Sequence, residues 1–198
     1  MHAQTPVQIA WVTRDLAATE AVLTGLLGAR KWIRMPGVHF GPDTCTHRGT
    51  PADFVADIAF SYAGDTQLEV IQPVSGVGVY SEFLDHSNAG LHHVCRGAPD
   101  EETFDAMCSD AERNGNPIVT RGVMPGGMRF AYVSAPEAGV PYLEYAYVPP
   151  DIQKFFDYVK EEQCVTTDER SREKHRADER LREEHHDDKR LHEEKADA

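Results

Sequence analysis

Long apolar runs are missing from this 198-residue chain. None approaches the roughly 18 consecutive residues that a membrane-spanning helix needs, so a membrane partner is not expected. Basic residues are scarce: 20 lysines and arginines stand against 33 aspartates and glutamates, for a formal charge of −13. Nucleic-acid binding needs a basic face for the phosphates, and this balance excludes it as an expectation. Cysteine is sparse and scattered, at Cys45, Cys95, Cys108 and Cys164, with no Cys-x-x-Cys pair. That pattern suits free thiols in a reducing compartment, not a disulfide framework. Residues Met1-His2-Ala3-Gln4-Thr5-Pro6 show no basic stretch followed by an apolar one, so a cytoplasmic protein is expected.

What is present is ordinary for a globular domain, with 40% hydrophobic and 27% charged residues. Val7 to Val12 alternates and is rich in strand formers. Asp15 stands where a helix N-cap belongs, helical spacing runs from Leu16 to Leu27, and Gly28 stops it. Lys31 to Arg34 reads as a second strand, and residues 36–51 as a long loop. Phe54 to Tyr62 and Leu68 to Gln72 are strands three and four. A connector from Pro73 to Asn88 holds a short helix over Val79 to Leu84.

The order then repeats. Leu91 to Cys95 is a strand, and Asp100 to Arg113 an amphipathic helix closed by Asn114-Gly115. Further strands follow at Pro117 to Thr120, Met128 to Val133 and Tyr142 to Tyr147. The pattern β-α-β-β-β thus occurs twice, and superposing the halves sets Gln8 on His93 and Glu69 on Glu144. The expected organisation is a body at 5–150, made of modules 5–75 and 89–150, a packing helix at 151–163 and a charged tail at 164–198. From Asp168 twelve acidic residues face nine basic ones in a ten-residue repeat. A helix of that period drifts by about 80° per repeat, so Leu181 and Leu191 form no single stripe and a coiled coil is not expected. The tail reads as a solvated helix or disorder, with His175, His185, His186 and His192 as weak metal donors at most.

Strand parity sorts the chemistry. Gln8 shares a face with Ala10, His93 with Cys95, Glu69 with Ile71 and Glu144 with Ala146. Three of these four neighbours are small and leave room for a ligand, and an amide oxygen, two carboxylates and an imidazole suit a divalent ion. The same alternation predicts that His92 and His93 face opposite ways.

These features resemble the vicinal oxygen chelate superfamily (glyoxalase, bleomycin resistance, methylmalonyl-CoA epimerase). They are carried by the paired modules, Gln8-Ile9-Ala10, Leu68-Glu69-Val70-Ile71-Gln72-Pro73, Gly90-Leu91-His92-His93-Val94 and Tyr142-Leu143-Glu144. The resemblance implies an α+β fold in which two βαβββ modules curl one eight-stranded mixed sheet into a half-open barrel. It implies that Gln8, Glu69, His93 and Glu144 hold a divalent metal (Zn, Ni, Co or Mn), with His92 the outward neighbour of His93. It implies an isomerase or lyase, epimerase- or glyoxalase-like, that moves a proton next to a carbonyl through a metal-stabilised enediolate. The substrate would be a small carbonyl compound or an acyl thioester. Glu144 would move the proton, with Glu69 second, and a homodimer is implied. Gln8 departs from the usual histidine, in a way some glyoxalase I enzymes share. The positions at which those enzymes hold glutathione are Val12, Pro73 and Ala89 here, which points away from a glutathione adduct. The His-His-Val-Cys strand resembles the epimerase branch, with Arg14, Arg30, Lys31 and Arg34 as candidates for a CoA phosphate. The alternative is a non-catalytic small-molecule-binding protein of the bleomycin-resistance kind, its groove lined by Trp11, Trp32, Phe40, Phe130 and Tyr132. A ring-cleaving dioxygenase would need two histidines and a glutamate on iron, which Gln8 and Glu69 do not supply.

Overall fold

The structure is a computed structural model that describes residues 5–163. The chain divides into two compact units, Met1–Lys160 and Glu161–Ala198, and of the second only residues 161–163 are described. The charged tail and its four histidines lie outside the described residues.

In the first unit β1 (Gln8–Val12) leads to α1 (Leu16–Leu27). Asp15 caps that helix by accepting from the Ala18 amide at 2.9 Å. Gly28 ends it at φ 76°, a left-handed conformation that a side chain would resist. Then come β2 (Ile33–Phe40), β3 (Cys45–His47), β4 (Thr50–Pro51), β5 (Phe54–Ala63) and β6 (Thr66–Ser75). Helix α2 (Val79–His86) precedes β7 (Gly90–Ala98). Helix α3 (Glu101–Arg113) carries Asp100 as its cap, acids in the first turn and Arg113 in the last, each complementing the helix dipole. Strands β8 (Ile118–Val123), β9 (Arg129–Ser134) and β10 (Tyr142–Tyr147) follow, and residues 150–160 are helical.

The fold is α+β: a curled mixed sheet in the order β2-β5-β6-β1-β7-β10-β9-β8-β3-β4. The two halves meet at the antiparallel pair β1 and β7, and each of these pairs in parallel with the last strand of its own half, β6 or β10. The sheet has ten strands where eight were expected. The excess comes from residues 36–51, read as a loop from their glycines, prolines and polar residues. There β2 extends to Phe40, and β3 adds to the sheet through pairs such as Cys45 with Gly122 on β8. Such pairing is set by a strand far along the chain, so local composition does not report it.

Aromatic side chains fill much of the interior. Phe40 stacks on Phe54 at 4.6 Å, Tyr80 and Phe130 meet them edge-on, and the Tyr80 and Tyr132 hydroxyls hydrogen-bond at 2.8 Å. Phe40, Phe130 and Tyr132 are therefore core residues and not the walls of a groove. Trp32 turns its indole N–H to the Thr24 hydroxyl. The helix at 150–160 lays Phe156 and Val159 against Phe60 and Tyr62. Among the described residues no helix is long and apolar enough to cross a membrane.

Candidate functional site

The register explains how four distant residues meet. Gln8 lies beside Cys95 and Ala10 beside His93 across the β1–β7 pair; Ala10 also lies beside Glu69, and Cys95 beside Glu144. Neighbours across a sheet share a face, so Gln8, Glu69, His93 and Glu144 all enter the same interior. They converge on one atom. The Nε2 of His93 lies 3.4 Å from Gln8 Oε1, 3.5 Å from Glu69 Oε2 and 3.3 Å from Glu144 Oε2. His93 is fully buried, Gln8 and Glu144 nearly so, while Glu69 keeps 16% side-chain exposure.

The electrostatics follow from that closeness. Burial opposes a charge on His93, but Glu144 and then Glu69 more than offset it and lift its pKa to about 9. Glu69 is held above the ordinary carboxylate range by its burial, against the pull of His93. Burial, reinforced by the Glu144 carboxylate, keeps the Cys95 thiol protonated, and its S–H donates to Glu144.

A further layer orients the donors. Gln8 donates its amide Nε2–H to Gln67 Oε1 at 2.7 Å, and Gln67 donates in turn to the Tyr62 hydroxyl at 2.9 Å. With its nitrogen engaged, Gln8 presents its oxygen to His93. Sequence reasoning missed Gln67 because its side chain finds Gln8 only through the β1–β6 pairing. Its one local signal was a polar residue two before Glu69, on the same face.

The two histidines correct the parity argument. Ala10 pairs with His93 and Trp11 with Leu91, so His92 has no partner across the strand and forms a bulge. Both rings are completely buried on one side, with Nδ1 atoms 2.9 Å apart. His92 is not an outward neighbour. It sits among the rings of Tyr80, Phe83, Tyr132 and Tyr142. Burial first, then the neighbouring charge of His93, drives its pKa well down, so it is neutral. Its Nε2 makes no hydrogen bond of normal geometry, although the Val79 carbonyl stands near enough to favour the protonated ring slightly.

Beside the donors lies a cavity of about 490 Å³, with Gln8, Cys95 and Glu144 in its wall. Among the described residues, no group of three His, Cys, Asp or Glu side chains stands ready-made around a vacant centre. As arranged, the donors turn on one another through His93.

A sequence profile described as the glyoxalase/bleomycin resistance protein/dioxygenase superfamily matches residues 7–132, more than half of the chain. The chain belongs to that superfamily. Among solved structures, this superfamily member is similar to methylmalonyl-CoA epimerase from Mycobacterium tuberculosis, at 17% identity and a TM-score of 0.55, covering 78% of this chain and 97% of that one. A hypothetical protein from Bacillus halodurans matches at 17% identity and a TM-score of 0.53, covering 73% and 94%. A variant of Streptomyces coelicolor methylmalonyl-CoA epimerase, in complex with 2-nitronate-propionyl-CoA, matches at 16% identity and a TM-score of 0.50, covering 72% and 95%. At these identities the likeness concerns the glyoxalase/bleomycin-resistance fold. No curated protein matches the sequence.

Proposed function

We propose that this superfamily member is a metal-dependent isomerase or lyase that moves a proton next to a carbonyl group. The observation that carries the reading is the convergence of Gln8, Glu69 and Glu144 on His93 Nε2 from four neighbouring strands. Donors about 2.0–2.2 Å from an ion at tetrahedral angles stand about 3.4 Å apart. The three separations from His93 Nε2, 3.4, 3.5 and 3.3 Å, match such an edge. One imidazole, one amide oxygen and two carboxylates also balance a divalent charge. Gln8, Glu69, His93 and Glu144 would hold the ion, which supplies polarisation of a substrate oxygen when bound.

The chain's own groups do the rest. Glu144 lines the cavity and is the base that takes a proton from the carbon beside the carbonyl. Glu69, on the other side of His93, is the second carboxylate able to accept or return it. Gln67 keeps the Gln8 oxygen turned inward, and the Cys95 S–H steadies Glu144. The likeness in fold to methylmalonyl-CoA epimerases supports the isomerase class.

A second reading rests on the same geometry. Protonated His93 already pairs with both carboxylates without an ion, as in a binding protein whose polar centre is structural. Metal analysis decides between them. Protein loaded with Ni, Co, Zn or Mn retains about one ion per chain after dialysis on the first reading, and Glu144→Gln abolishes turnover. Protein that retains no ion, with Glu144→Gln unchanged from wild type, returns the site to the second reading.

A further inference from the structure

The cavity beside Glu144 has a roof as well as a floor. Residues 150–160 cross it, with Phe156, Gln153, Asp157 and Lys160 in its lining. That segment lies beyond residue 132, where the superfamily match ends. A volume near 490 Å³ falls in the range of small-molecule sites.

Its charges are specific. Asp65, Asp157 and Glu144 line it, and the one cation in the lining among the described residues is Lys160, whose Nζ is 2.6 Å from Asp65. Phosphate recognition calls for arginine or lysine donors not already spent on carboxylates. Two of the sequence's candidates for a CoA phosphate are committed elsewhere: Arg14 donates to the Leu84 carbonyl, and Arg34 pairs with Glu20. Neither lines the cavity.

One polar group is available there. The Tyr62 hydroxyl accepts from Gln67, Gln67 accepts from Gln8, and Tyr62 lines the cavity. The hydroxyl's own proton meets no acceptor among the described residues, and burial, lifting its pKa to about 12, keeps that proton in place. Val7, Ala98, Met128, Val148 and Phe156 make most of the remaining wall apolar.

We propose that the substrate is a compact, uncharged carbonyl compound with an apolar body and no phosphate group, enclosed beneath the 150–160 helix with one oxygen accepting from Tyr62. The proposal rests on the proton-transfer reading for its carbonyl, whereas its size and charge come from the cavity. The test is calorimetric titration of the full-length protein with two probes, 2-hydroxyacetophenone and propionyl-CoA, with and without Co²⁺. The aromatic hydroxyketone is expected to bind saturably, at least tenfold tighter than the thioester. Gln153→Trp, an exposed helix position that fills the cavity, weakens it at least tenfold, and Tyr62→Phe about fivefold. Tighter binding of propionyl-CoA, or a hydroxyketone affinity untouched by Gln153→Trp, overturns the proposal. Should the hydroxyketone bind as expected while Co²⁺ binds nowhere, the substrate class is supported and the metal reading alone falls.

Discussion

The Nδ1 atoms of His92 and His93 face each other at 2.9 Å inside the sheet, although the two residues are consecutive in one strand. Hydrogen bonding between them lets His93 donate from Nδ1 while its Nε2 stays aimed at Glu69, Glu144 and Gln8. A partner on the far ring nitrogen is what holds a ligating histidine in one tautomer and orientation. Replacing His92 with Phe keeps the ring among its aromatic neighbours and removes the acceptor. Metal affinity, measured by competition with a chelating dye, is expected to fall about 10–100-fold. An unchanged affinity would show that the pair is only packing.

Gln67 is predicted to matter to Gln8 more than its chemistry suggests. Gln67→Leu leaves the Gln8 amide N–H and the Tyr62 hydroxyl without their buried partner. Each unsatisfied group costs about 1–3 kcal/mol, so urea denaturation should show a clear loss of stability. Metal affinity falls in the same variant because the Gln8 oxygen is no longer fixed. Stability lost without any change in metal binding would separate Gln67 from the site.

Acid sensitivity should come in part from α2. The Arg48 guanidinium above all, with the His47 ring, holds Glu82 down to about 2 against the opposing effect of burial. The folded pKa lies below the ordinary 4.5, so the stabilisation is complete above about 4.5 and is lost as pH falls through about 2. Glu82→Gln should lower stability near neutral pH and flatten the decline between pH 5 and 2. Parallel pH profiles for variant and wild type would refute this.

Two glycines with positive φ should respond differently to alanine. At Gly76 an added Cβ would stand 2.3 Å from the Asp53 carbonyl oxygen and 2.7 Å from the Phe54 Cα, both backbone atoms that cannot step aside. At Gly64, with φ 61°, nothing lies within 4 Å. Gly64→Ala should cost only the left-handed penalty of about 1–2 kcal/mol. Gly76→Ala should exceed it severalfold or fail to fold, and equal melting temperatures for the two variants would count against the packing described.

Local sequence determined a good deal. Asp15, Gly28 and Asp100 mark helix ends because capping is a matter of a few adjacent residues. Alternation within β1, β6, β7 and β10 set which residues share a face with Gln8, Glu69, His93 and Glu144, and the resemblance to the superfamily implied that these four strands surround one site. Facing is an intra-strand property with a period of two, so it can be read without a partner strand. The features decided by the tertiary structure depend on strands far away. Residues 45–47 join the sheet because β8 is there to receive them, His92 bulges because Trp11 pairs with Leu91, and Gln67 meets Gln8 across β1 and β6. The roof at 150–160 is of the same kind: its helix was legible from its spacing, but the cavity it closes exists only once Phe156 and Val159 have packed on Phe60 and Tyr62. Register and bulges belong to pairs of strands, and no single strand carries them.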